Sequence, residues 1–194
     1  SSSKDLLATI NQYHQVPATL KEIPAGNEYS YLETPVTKVL IAPYDAKQIY
    51  MAQISNLDNK YDPAIEPIRA LYDEYFGGGM NSIVFQEMRE TRGLAYSAWA
   101  SIMPPSYLKY PYVLRTQIAT QNDKMIDAVT TFNDIINNMP ESEAAFKLAK
   151  DGLTNRLRTE RIIKGDIIWS YINAQDLGQN VDPRIKLYND IQNM

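Results

Sequence analysis

Gly77-Gly78-Gly79-Met80-Asn81-Ser82-Ile83-Val84-Phe85-Gln86-Glu87-Met88-Arg89-Glu90-Thr91-Arg92-Gly93-Leu94-Ala95-Tyr96-Ser97 is the stretch from which the fold is read. A glycine break precedes a helix-like run, roughly Met80 to Thr91. Gly93 follows, and the residues after it alternate as in a strand. Glycine ends a helix readily because it enters the left-handed region without a Cβ penalty, and both Gly77 and Gly93 are placed to do so. A phosphate loop is excluded, because no Lys-Ser/Thr pair follows Gly79 and the segment before it reads as helix. Ser82 occupies the third glycine position of a dinucleotide fingerprint, which fails as well. Gly77, Gly78 and Gly79 therefore read as a tight turn between two helices.

Upstream, Asp62-Pro63 is a helix start, and Ile65, Ile68, Leu71 or Tyr72, and Tyr75 mark an apolar stripe running to Phe76. Lys38 to Ala42 and Gln48 to Ser55 are strand candidates, separated by a turn at Pro43-Tyr44-Asp45. Ser3 to Gln15 reads as a short helix after a serine cap, with Leu6, Leu7, Ile10 and Tyr13 at helical spacing. Val16 to Pro35, with three prolines and Gly26, reads as a linker holding at most one short strand. Downstream, Ala95 to Met103 and Tyr112 to Ala119 are antiparallel strands. Helices follow from Asn122 or Asp123 to Pro140, from Ser142 to about Ile163, and from Asp166 to Leu177. A last helix starts at Asp182-Pro183 and runs to the chain end. The class is α+β: an antiparallel or mixed sheet with helices on one face, in the order α-β-β-α-α-β-β-α-α-α-α. Residues 1–35 are expected to be an N-terminal helix and linker, and residues 36–194 a single domain.

Composition narrows the chemistry. The 194 residues carry a net charge of −4 and a pI near 5.1, which gives no footprint for nucleic acid or an anionic membrane. Hydrophobic residues make up 44% and charged residues 22%, enough apolar side chain for a real core. No apolar run approaches the roughly 18 residues of a membrane helix. The start, Ser1-Ser2-Ser3-Lys4, has no initiator Met and reads as a piece of a longer protein. The compartment is therefore left open, an exported one such as the periplasm included. There are no cysteines and one histidine, His14. Thiolate chemistry is excluded, and the chain alone cannot assemble a histidine or cysteine zinc site. His14 reads as a surface or cap residue.

Arg89 and Tyr96 flank the helix-to-strand turn. A guanidinium is a permanent charge with a planar fork of donors, and a phenol adds a directional neutral donor. Aimed at one peptide carbonyl, they would stabilise negative charge growing on its oxygen. The plainer reading pairs Arg89 with a neighbouring Glu and leaves Tyr96 as a half-buried strand aromatic. Glu87 and Glu90, three apart, are conceivable as a catalytic carboxylate pair but read more simply as a solvated helix face. Arg156, Arg158, Arg161 and Lys164 complement a helix C-terminus. Tyr107, Tyr110, Tyr112 and Trp99 suit a peptide groove and strand packing equally.

The run Gly77–Ser82, then Phe85-Gln86-Glu87-Met88-Arg89-Glu90, then Arg92-Gly93-Leu94-Ala95-Tyr96-Ser97, closely resembles the non-zinc domain of the pitrilysin/insulinase-type peptidases. These are the inverted zincins, which include the mitochondrial processing peptidases. Met139-Pro140-Glu141-Ser142-Glu143 and the element order fit the same family. The resemblance implies a domain that faces a zinc-bearing domain, in the same parent chain or in a partner subunit, across a peptide-binding chamber. It implies that Arg89 and Tyr96, seven apart, bind the substrate backbone and the polarised carbonyl. Zinc belongs to the partner domain in that arrangement, with no cofactor in this chain. The absence of His-x-x-Glu-His agrees with the non-zinc domain and implies no activity in isolation. Many relatives carry arginine where this chain has Ile83, and the resemblance leads to the expectation of a final helix and strand that the sequence to Met194 does not include. The alternative is a catalytically inactive structural, assembly or peptide-binding module of the same fold.

Overall fold

A computed structural model describes residues 2–27, 29 and 31–194. Glu28 and Ser30, inside the expected linker, and Ser1 lie outside the described residues. The chain divides into two units, Ser1–Ser30 and Tyr31–Met194. In the first, helix α1 spans Ser3–Tyr13. Ser2 caps it reciprocally: its hydroxyl accepts from the Asp5 N–H at 3.2 Å, and the Asp5 carboxylate accepts from the Ser2 N–H at 2.9 Å. Those bonds hold the Asp5 carboxyl below its ordinary value. His14 follows as the C-cap. The apolar residues Leu6, Leu7, Ile10 and Tyr13 are all exposed.

The second unit is built on three strands among the described residues: β1 (Gln48–Lys60), β2 (Ser97–Met103) and β3 (Pro111–Gln121). They are antiparallel in the order β1-β3-β2. Register places Met51, Ile118 and Ala98 side by side, with Gln53, Thr116 and Ala100 in the next row of the same face. Alternation turns Tyr50, Ile54, Trp99 and Arg115 to the opposite face. The helices against the first face are α2 (Glu66–Phe76), α3 (Ile83–Phe85) continuing as a π-helical turn over Gln86–Thr91, and α4 (Met125–Asn137). Helices α5 (Glu143–Thr159) and α7 (Pro183–Gln192) pack on α2 and on each other, and α6 (Ile167–Asp176) is mostly exposed. The core joins Ala98, Ala100 and Ile118 of the sheet to Phe76, Val84, Met88, Phe132, Leu153 and Ile191. Burying each large apolar side chain contributes about 1.5–3 kcal/mol.

Helix α2 is locked to the edge of β2. The Asp73 carboxylate accepts from the Ile102 N–H at 2.8 Å and from the Ser101 hydroxyl at 3.0 Å. Arg69 donates to the Ile102 carbonyl at 3.0 Å, to Asp73 at 2.8 Å and to Glu66 at 2.9 Å. Tyr112 donates to Glu66 at 2.7 Å. Burial pushes the Asp73 carboxyl up, against the pull of its Ile102 bond and of Arg69. Burial likewise pushes the Tyr72 hydroxyl up to about 12, with the Asp73 charge adding to it. Tyr75 ties α2 to the start of α5, donating to the Pro140 carbonyl at 2.7 Å and accepting from the Ser142 N–H at 3.0 Å.

The fold class is the expected one, and the differences are local. Lys38 to Ala42 does not form a strand: Val39, Leu40 and Ile41 are exposed and pair with no neighbour among the described residues. Strand propensity expresses itself only against a partner. Asp62-Pro63 starts a turn, with Asp62 accepting from the Ala64 N–H, and α2 proper begins at Glu66. Ile68 is exposed, because the buried face is Pro67, Ala70, Leu71, Tyr75 and Phe76. The second helix begins at Ile83 rather than Met80, since Ser82 is its N-cap. Helix α5 stops at Thr159, short of Ile163, and α7 closes at Gln192 before the chain end.

Gly77 is not left-handed. Its φ is −139°, and among the described residues only Gly93 and Gly178 have positive φ. It is glycine because a Cβ there would collide with the Ala100 backbone. Gly77→Ala is therefore expected to lower stability by roughly 2 kcal/mol or more, through overpacking against atoms that cannot yield. Gly79→Ala, at a position open to solvent, should change it by under about 0.5 kcal/mol. Denaturant midpoints at constant slope would check both. At α7, hydrogen bonds from Arg184 hold the Asp182 carboxyl below its ordinary value. The stability this adds is present above the unfolded carboxyl's pKa of about 3.9 and is lost as pH falls through the lower folded value. Asp182→Asn keeps a capping side chain, so its melting temperature should lie below wild type at pH 7 and converge on it in acid.

Candidate functional site

The segment carrying Arg89 is fixed at both ends. At its start Ser82, fully buried, donates to the Gly79 carbonyl at 2.6 Å and accepts from the Phe85 N–H at 3.3 Å. Ile83, Val84 and Met88 then enter the core. The helix widens over Gln86–Thr91 into a π-helical turn, a local distortion that recurs at functional sites. At its end the buried Met88 carbonyl accepts from both Leu94 and Ala95 N–H groups, at 2.8 and 3.2 Å. Gly93, at φ 57°, makes the reversal. Lys124 donates to the Gly93 carbonyl at 3.0 Å, Thr120 donates to the Leu94 carbonyl, and the Tyr96 N–H donates to the Ala119 carbonyl at 2.8 Å. These bonds pin the turn to β3 and to the residues just after it.

The result brings Arg89 and Tyr96 together. The Arg89 guanidinium carbon lies 5.6 Å from the Tyr96 ring centroid and 5.0 Å from that of Phe85. Tyr96 is 70% exposed and the Arg89 side chain 45%. The nearest carboxylate to Arg89 is Glu90, at 3.6 Å from its Nε. That contact is too long for a hydrogen bond, so the guanidinium donors are not consumed by it. Glu87 is engaged with Arg92 at 3.2 Å, so each of the two glutamates faces a different arginine and they do not form a carboxylate pair. Gly78 sits so close to the Asp73 carbonyl that a Cβ would overlap it, while Gly79 is open.

The other candidates resolve differently. Arg156 bridges α5 to Glu74 of α2 at 2.6 Å, whereas Arg161 donates to the Arg158 and Glu160 carbonyls at 3.0 and 3.1 Å, contacts at the end of α5. The aromatic patch is split across the sheet. Tyr112 is buried, donates to Glu66 and stacks on Tyr61 at 6.1 Å. Trp99 lies in a row with Gln117 and Ala52 on the opposite face, 5.9 Å from the Arg115 guanidinium. Two surface concavities, one around Tyr72, Met139 and Phe146 and one around Tyr171, Gln179 and Val181, do not include Arg89 or Tyr96. Ser82, Phe85, Thr120 and Lys124 were not singled out from the sequence. A serine three residues before Phe85, and a phenylalanine one helical turn before Arg89, were the available signals.

The donor set does not fit a zinc ion. There are no cysteines, the single histidine caps α1, and among the described residues no cluster of three His, Cys, Asp or Glu could hold a metal. Among the described residues no helix is long and apolar enough to cross a membrane.

Comparison with known proteins identifies the family of the fold. No curated protein matches the chain in sequence. The fold is similar to that of a peptidase M16 inactive domain from Pseudomonas fluorescens, with a TM-score of 0.60 and 16% identity over 78% of this chain and 36% of that one. A conserved protein from Enterococcus faecalis aligns over 100% of this chain and 45% of its own, with a TM-score of 0.65 and 18% identity. The periplasmic protease PqqL of Escherichia coli aligns over 100% of this chain and 21% of its own, with a TM-score of 0.57 and 13% identity. The chain thus spans under half the length of each of these proteins. The family model described as "Peptidase M16 inactive domain" matches residues 12–153. With nearly three quarters of its length matched, the chain belongs to the peptidase M16 inactive-domain family, a non-catalytic domain of a peptidase.

Proposed function

We propose that this chain grips peptide substrate within a zinc metallopeptidase and presents Arg89 and Tyr96 to the scissile carbonyl, opposite a zinc site held by a separate domain. That domain belongs to the same parent chain or to a partner subunit. Residues 1–35 serve as a connecting helix and linker, and residues 36–194 as the gripping domain. The observation that carries the reading is the placement of a guanidinium against an exposed phenol across the Gly93 turn, 5.6 Å from carbon to ring centroid. Membership of a peptidase inactive-domain family supports it, because the metal chemistry of such a peptidase then falls to another domain.

The chemistry this chain supplies is donation. Arg89 offers a charged N–H fork and Tyr96 a hydroxyl, and both are exposed to a ligand arriving from solvent. A peptide carbonyl oxygen gathers negative charge as its amide is attacked. Donors held in place beforehand stabilise that charge more than they stabilise the ground state. The bonds of the turn to β3 and Lys124 fix the backbone from which Tyr96 projects.

Arg89→Ala and Tyr96→Phe, made in the complete parent protein with its zinc-bearing domain, are each expected to lower turnover of a peptide by about 10²–10³. Bound zinc, measured by elemental analysis, should be unchanged. Undiminished turnover in both variants would overturn the reading.

A further inference from the structure

We propose that Phe85 is a positioning residue for this site: its ring holds the Arg89 guanidinium against Tyr96, so that three side chains form the working unit. The inference rests on the reading of Arg89 and Tyr96 given above. Arginine has a long, flexible side chain, and an exposed one sweeps a wide volume unless something restrains it. The main restraint is not the exposed ion pair with Glu90, which at 3.6 Å from Nε is too long for a hydrogen bond and weak in solvent, and Glu87 is turned to Arg92. It is two aromatic faces. Phe85 lies 5.0 Å and Tyr96 5.6 Å from the guanidinium carbon, both inside the range of cation–π attraction.

Phe85 suits this task in a way that a carboxylate would not. A carboxylate four residues before Arg89 would hold the cation more tightly, but by accepting its N–H groups. A ring attracts the cation through its π face and leaves the N–H edge for a ligand. Phenylalanine also carries no polar atom to compete for the incoming carbonyl. Phe85 is itself fixed, half-buried, with its N–H bonded to the buried Ser82 hydroxyl and its neighbour Val84 in the core. An uncharged acceptor, such as the carbonyl of a peptide in extended form, is what so lightly engaged a guanidinium is free to bind.

The test starts from the Arg89 Nε–H resonance of the isotopically labelled 194-residue chain. In wild type, ring currents should displace it from the random-coil position, and its mobility should be low. Phe85→Leu is expected to return it toward random coil and raise its mobility, while Phe85→Trp should preserve both. In the complete peptidase, Phe85→Leu should lower kcat/KM by about threefold to thirtyfold, the range of a cation–π contact. Zinc content should not change, and Phe85→Trp should recover most of the loss. An Arg89 signal unaffected by Phe85→Leu, or a Phe85→Trp variant as impaired as Phe85→Leu, would overturn the proposal. If the signal moves as expected but Arg89→Ala leaves turnover intact, the Phe85 contact stands and the assignment of Arg89 to substrate falls.

Discussion

The bare backbone of Gly77 against the backbone of Ala100 sets the geometry of everything downstream. No side chain separates the two, so α2 descends directly onto the edge of β2. Arg69 and Asp73 complete the contact by satisfying the Ile102 carbonyl and N–H, in the way a neighbouring strand would. An open strand edge is a template for unwanted pairing, and covering it with a helix removes the hazard. Here the cover also serves as a ruler. It fixes where α2 ends, and so where the chain must turn to start the helix bearing Arg89.

From that point the segment is held by alternating polar and apolar anchors. Ser82 is buried and bonded, Val84 and Met88 are buried in the core, and Gly93 reverses the chain under the hold of Lys124 and Thr120. Arg89 and Tyr96 project from between these anchors into solvent. The scaffold beneath the pair is rigid, and the pair itself is accessible. That combination is what a preorganised donor site requires, since donors that must be reoriented during a reaction forfeit part of their advantage. The rows of β3 connect this site to the core, because Thr120 and Ala119 touch the turn while Ile118 packs beneath the helices.

Local chemistry was legible in the sequence. Ser142 caps α5 and Asp182-Pro183 opens α7, because capping depends on a few adjacent residues. Gly93 is left-handed for the same reason. What the sequence did not disclose depends on distant partners. Gly77 is glycine on account of Ala100, twenty-three residues away, and its backbone angle is ordinary. Ile68 fits the helical stripe but faces solvent, since the packing of α2 on β2 and α5 chose a slightly different face. Val39, Leu40 and Ile41 have apolar side chains suited to a strand and, among the described residues, no strand beside them. At the site, the spacing of Arg89 and Tyr96 could be read, but their meeting could not. It required the turn, the pinning to β3 and the widened helix together.

That widened helix has an evolutionary corollary. A π-helical turn is an α-helix that has accommodated one additional residue, and each residue advances an α-helix by about 100°. Removing a single codon between Gln86 and Thr91 would let the segment relax to ordinary pitch. Everything on one side of the deletion would then rotate about a quarter-turn relative to the other, parting the phenylalanine from the arginine or the arginine from the tyrosine. A gathering of three side chains that would take several coordinated point substitutions to assemble can thus be created, or dismantled, by one in-frame insertion or deletion.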